Sequence, residues 1–111
     1  MTKEKIEELK KANPSGIYEG EISFFDEEDK SHKVEFIFRR PSTADIEAFT
    51  AAAQKNPIVA NLNLIQSLIV HPEPGPVIRE IQEYPAAANK FCEEAVLPFF
   101  GARTAIRRKK L

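Results

Sequence analysis

The side chains able to do chemistry in this chain are few: His32, His71, Cys92, five serines and an acidic run from Asp26 to Asp29. His32 and His71 are far apart, and neither has a spaced partner of the His-Glu-x-x-His kind that puts two imidazoles on one metal. With a single thiol, the chain has no intramolecular disulfide, and Cys92 with two histidines fits no recognised zinc spacing. The loop holding Asp26, Glu28 and Lys30 has the alternation of a calcium loop. Its sixth position, however, is Ser31 where the sharp turn takes glycine, and its twelfth is Ile37 where a bidentate glutamate belongs. A solvated hairpin tip is the expected role. None of Ser15, Ser23, Ser31, Ser42 and Ser67 sits in a Gly-x-Ser-x-Gly elbow, and the four glycines have no phosphate-cradling spacing. Cys92 falls on an apolar helix face beside Phe91 and Val96, a place for a small hydrophobe and not for a thiolate. The expectation is a protein without catalytic residues, cofactor or metal.

Composition narrows the partners. An apolar fraction of 42% and a charged fraction of 30% are those of a folded globular domain. A net charge of -1 and a pI of about 6.1 give no field to hold a nucleic-acid backbone or an anionic membrane. The amino terminus carries charge where a secretory signal needs an apolar stretch, and the apolar-rich segment from Ile58 to Val70 is too short to span a bilayer. A cytoplasmic protein is expected, with no nucleic-acid or membrane partner.

The elements that position these groups follow from periodicity. Lys3 to Ala12 is rich in helix formers and is stopped by Asn13-Pro14-Ser15-Gly16, which predicts a short, exposed helix. From Ile17 the period becomes two. Tyr18, Ile22 and Phe24 share one strand face, and Val34, Phe36 and Phe38 share one face of the next, so a hairpin is predicted. Gly20 lies on the same face and marks a bulge or a close approach. Pro41 ends the second strand, and Ser42 with Asp45 forms a shortened capping box for a helix to about Gln54 that buries Ile46, Phe49, Ala52 and Ala53. Asn56-Pro57 opens a helix to about Val70. His71-Pro72-Glu73-Pro74-Gly75-Pro76 is a stiff turn, after which Pro76 and Pro85 open two further helices. Pro98 and Gly101 close the domain, with Phe99 and Phe100 tucked against it. The fold class is α+β: a short N-terminal helix, one β-hairpin, and a bundle of about four helices packing on it. One domain spans 1–102, and 103–111 forms a basic, frayed, solubilising tail.

The helix after Pro57 is the most informative segment. Ile58, Leu62, Ile65 and Ile69 make one stripe, Val59, Leu64, Leu68 and Val70 widen it, and no charge occurs from Asn56 to Val70. Such a helix is central in the domain or is covered on a second side by a partner. Ile58, Leu62, Leu64, Ile65 and Leu68 are therefore the candidate contacts to another copy or to a helical protein segment. Arg39 and Arg40, before Pro41, are either a solvated strand end or a face for an acidic partner.

The order of these features resembles the small tail assembly chaperones of siphophages, myophages and prophages. The resemblance runs from Ile17 to Gly101. It rests on Phe36-Ile37-Phe38-Arg39-Arg40-Pro41-Ser42-Thr43-Ala44-Asp45, on Asn61 to Pro72, and on Tyr84-Pro85 leading to Pro98-Phe99-Phe100-Gly101. It implies a non-enzymatic protein that coats the long tape-measure protein until tail-tube subunits polymerise around it. The alternative is a small phage or bacterial adaptor or inhibitor, in which the hairpin edge or the proline-rich connector binds one partner.

Overall fold

The computed structural model describes residues 2–101 and 107–110. Helix α1 (Lys3–Ala12) is capped by Thr2, whose hydroxyl accepts from the Lys5 amide at 3.2 Å, and it has no buried residue. Strands β1 (Ile17–Phe25) and β2 (Ser31–Arg39) pair antiparallel with Gly20 opposite Phe36 and Ile22 opposite Val34. At their tip the Asp26 carboxylate accepts the Glu28 and Lys30 amides at 2.9 and 3.0 Å, and Asp29 takes φ 59°. This is a side-chain-stabilised turn of the sort short acidic residues favour.

The Ser42–Asp45 capping box forms. The Asp45 amide donates to Ser42 Oγ at 3.3 Å, and the Ser42 amide donates to Asp45 Oδ2 at 2.7 Å, opening α2 (Thr43–Ala53). Asn56 caps α3 (Pro57–Leu68) through Oδ1, with Pro57 in its first turn. Then the structure departs from expectation. Helix α3 stops at Leu68, and Ile69–His71 forms a third strand, β3, antiparallel to β2. Ile69 and Val70 are β-branched, and the residue before Pro72 is driven out of the helical region, so extension is the cheaper conformation here. The sheet therefore has three strands in the order β1-β2-β3. Helix α4 (Pro74–Ile81) begins two residues earlier than predicted, and α5 (Pro85–Phe91) runs into a π-helical turn Cys92–Val96 and a 3-10 turn Leu97–Phe100. Gly101 ends it with φ 79°. The architecture is α+β, with helices covering one face of the sheet.

That covered face and the helices make one core. Ile22, Val34, Phe36 and Phe38 meet Leu64, Ile65 and Leu68 of α3, Val77 and Ile81 of α4, and Ala88, Phe91 and Val96 beyond. The Phe91 ring stands edge-on to both Phe36 and Phe38 at 5.2 and 5.5 Å between centroids, the arrangement favoured by aromatic quadrupoles. Helix α2 is the exception. Ile46, Phe49, Ala52 and Ala53, expected in the interior, are only half-buried, because α2 lies chiefly on α3 and not on the sheet. Phe49 alone of these reaches the core cluster. Phe99 packs on the core as predicted, whereas Phe100 is exposed. Of the tail expected from 103 to 111, residues 107–110 are exposed and lie in no helix or strand, and the remaining positions fall outside the described residues.

Candidate partner-binding surface

Helix α3 divides along its length. Leu64, Ile65 and Leu68 are 4%, 0% and 1% exposed and belong to the core, so with the fold intact a partner cannot touch them. Leu62 is half-buried at the core margin. Ile58 and Val59, in the first turn, are 50% and 45% exposed. The stripe read from sequence is thus mostly internal, and its outward part is the N-terminal end, where Ile58 and Leu62 stand one turn apart. The helix lacks charge largely because it is central. Its one buried polar residue, Asn61, donates from Nδ2 to Asn89 Oδ1 at 3.2 Å, and its carbonyl faces Cys92 Sγ at 3.8 Å.

The two arginines separate. Arg39 makes a two-pronged pair with Asp45, Nη1 to Oδ2 at 2.7 Å and Nη2 to Oδ1 at 2.9 Å, and Nη2 also donates to the Ser67 carbonyl at 3.1 Å. One guanidinium thereby ties the end of β2 to the start of α2 and the last turn of α3, where a cation also suits the helix dipole. Arg39 is structural. Arg40 is exposed and lies over the Phe99 ring at 5.2 Å, beside Tyr18, whose ring meets Phe99 edge-on at 5.0 Å. This aromatic corner was not read from the sequence, because Tyr18 and Phe99 come from opposite ends of the chain.

The Arg39 guanidinium, with smaller help from the Ser42 amide and hydroxyl, holds the Asp45 carboxyl well below the usual carboxylate range. A group whose pKa is depressed by folding stabilises above its unfolded value, near 4, and that contribution is lost as pH falls through the folded value. Arg39→Ala should lower unfolding stability by about 2 kcal/mol at pH 7, the scale of a charge-assisted hydrogen bond. In urea melts the gap from the parent should close only below the ordinary carboxylate range, and Asp45→Asn should lose the same acid dependence.

The remaining reactive groups have structural surroundings. Burial pushes the Cys92 thiol up to about 12, with Glu93 adding to the shift. His32 Nε2 lies 2.8 Å from Asp26 Oδ2, and the imidazole stacks on Phe24 at 5.1 Å. Among the described residues no three His, Cys, Asp or Glu side chains gather where they could hold a metal ion. Among them also, no helix is long and apolar enough to cross a membrane.

A family model described as "Domain of unknown function (DUF6848)" matches residues 5–109. The fold is similar to that of a solved structure titled "Structure of uncharacterised protein rbstp2171 from bacillus stearothermophilus", with a TM-score of 0.61 and 24% identity over 96% of this chain and 98% of that one. At that identity the likeness concerns fold. No curated protein matches the sequence.

Proposed function

We infer that this chain, which belongs to the DUF6848 family, is a non-enzymatic protein whose work is to hold an amphipathic helical segment of another protein. The observation that carries the reading is the exposed apolar end of α3, with Ile58 and Val59 about half in water beside Leu62. Helix α2, which packs on the Ala60, Asn63 and Ser67 side of α3, adds exposed small side chains of its own at Ala44, Ala48 and Ala51. An uncharged helix end with exposed aliphatic side chains is a surface onto which the apolar stripe of another helix packs. The sequence resemblance names a candidate for that other helix: the tape-measure protein of a phage or prophage tail, whose long helical segments need cover until the tube is built around them. The function proposed is that of a tail assembly chaperone.

The supporting geometry also fixes the test. Ile58→Asp and Val59→Asp alter side chains already half in water, so melting temperature and circular dichroism should stay near the parent's. Co-expressed with tagged tape-measure fragments, the parent should be retained and both variants should bind roughly tenfold more weakly or worse, as expected when a charge meets an apolar contact. Full retention of the folded variants would remove this surface from the interaction. A size shift of the parent alone, abolished by the same substitutions, would make the partner a second copy instead.

A further inference from the structure

Strand β1 is an edge strand, and the way its edge is presented points to a second binding surface that does not depend on the function proposed above. In the ladder, the Arg40 amide donates to the Gly16 carbonyl, and the Asp26 amide donates to the Lys30 carbonyl, both at 3.0 Å. With Ile17 opposite Arg39, these bonds show that the even-numbered residues of β1 turn their backbone toward β2. Glu19, Glu21 and Ser23 therefore direct N–H and C=O away from the sheet, and among the described residues nothing pairs with them.

That edge is not flush with solvent. It forms one wall of a groove of about 370 Å³ whose lining includes every residue from 19 to 23. Consecutive strand residues point to opposite faces, so only the edge itself brings all five to one cavity. The opposite wall is one side of α5 and of the π-helical turn that continues it: Ala87, Lys90, Phe91, Glu94 and Ala95. A strand edge facing a helix across an open slot is the geometry in which an extended peptide adds to a sheet. The stretch from 19 to 23 is about 17 Å long, room for about five residues of a guest strand.

The side chains around the slot state which guest fits. Toward the helix the guest's alternate side chains meet Ala87, Phe91 and Ala95, which suits small or branched apolar residues. On the open face they meet Glu19 and Glu21, with Glu35 across the ladder from Glu21. On that face the cation Lys33 is already 2.9 Å from Glu35 and 3.9 Å from Glu21, and the opposite wall carries one charge of each sign, Lys90 and Glu94. Carboxylates in excess ask for Lys or Arg at those guest positions. A second copy is the poorer guest, since antiparallel pairing of β1 with itself brings Glu19 and Glu21 of both chains together on one face.

We propose that the groove between the free edge of β1 and the facing side of α5 takes up an extended segment of another protein, alternating basic with small apolar residues, as a fourth strand of the sheet.

The probe is a heptapeptide alternating lysine and valine, added to the full chain labelled with nitrogen-15. The amide signals of Glu19, Glu21 and Ser23 should shift on titration, those of Ile58 and Val59 should not, and affinity should fall with salt because the outer contacts are ionic. N-methylating the peptide nitrogens that face β1 removes the ladder donors and should weaken binding roughly tenfold or more. Glu21→Pro removes the matching edge donor without costing a bond to β2 and should do the same, while Ile58→Asp should leave peptide binding unchanged. Absence of shifts at the edge, equal binding of the N-methylated peptide, or shifts confined to α2 and α3 would each overturn the proposal. The N-methylated peptide decides the matter whether or not the proline variant folds.

Discussion

Ile65→Ala should lower the free energy of unfolding by about 3–4 kcal/mol, within the range for emptying a fully buried aliphatic site. Ile65 has no exposed surface and sits in α3 in the core cluster where the sheet, α4 and the last helix meet. A smaller side chain there leaves a hole lined from several directions, and close-packed walls relax only in part. Against a total stability of about 5–15 kcal/mol for a domain of this kind, the loss should bring the urea midpoint down sharply with the slope unchanged. The companion measurement separates core from surface on one helix. Ile58→Ala, two turns earlier and half in water, should cost under about 1 kcal/mol. If Ile65→Ala and Ile58→Ala cost the same, the division of α3 into an internal half and an external end is wrong.

That division marks the limit of what the sequence could say. Element types were legible where local chemistry decides them: the Ser42–Asp45 box, the Asn56-Pro57 start, and the Pro85 start each form as the residues require. Strand alternation was legible too, because Val34, Phe36 and Phe38 repeat at two and are buried together. The third strand was missed because Ile69 and Val70 continue the apolar stripe of α3 at helical spacing. Periodicity alone cannot separate a buried helical turn from a short buried strand, and the deciding partner is β2, over thirty residues away in the chain.

The proposed binding surface was legible only as a helix, not as a face. Absence of charge from Asn56 to Val70 signals burial of some kind, yet burial by the chain itself and burial by a partner leave the same mark on a sequence. Leu64, Ile65 and Leu68 serve the first, whereas Ile58 and Val59 stay exposed and Leu62 lies at the core margin. Arg39 shows the same ambiguity in charged form. Two arginines at a strand end look alike in one dimension, but the capping carboxylate of Asp45 reaches Arg39 and the Phe99 ring lies under Arg40. The outward wall of β1 had a weaker signal still. Glu19 and Glu21 alternate with the core-facing positions of β1, and nothing local in the sequence tells that α5 stands across the strand edge.

Gly20 is the residue whose replacement should disturb both the core and that edge, and Gly20→Ala should destabilise by about 2–3 kcal/mol, the cost of overpacking a filled interior. Its backbone is ordinary for a strand, so the cause is not torsional. A Cβ built on Gly20 would stand 2.6 Å from the Phe36 ring, well inside contact distance. Phe36 is the cross-strand partner, is buried, and is held edge-on by Phe91, so its ring cannot swing aside without opening the core. The glycine thus answers the choice left by the sequence between a bulge and a close approach: the β1–β2 register runs without interruption, and an aromatic ring lies where the side chain would be. Relief should come from the other side of the contact. Phe36→Leu alone creates a void, but in the double variant the added methyl enters the space the ring has left. The two losses should therefore be less than additive, by about 1 kcal/mol, in a cycle of urea melts. Strict additivity would show that Gly20 acts through something other than the Phe36 ring.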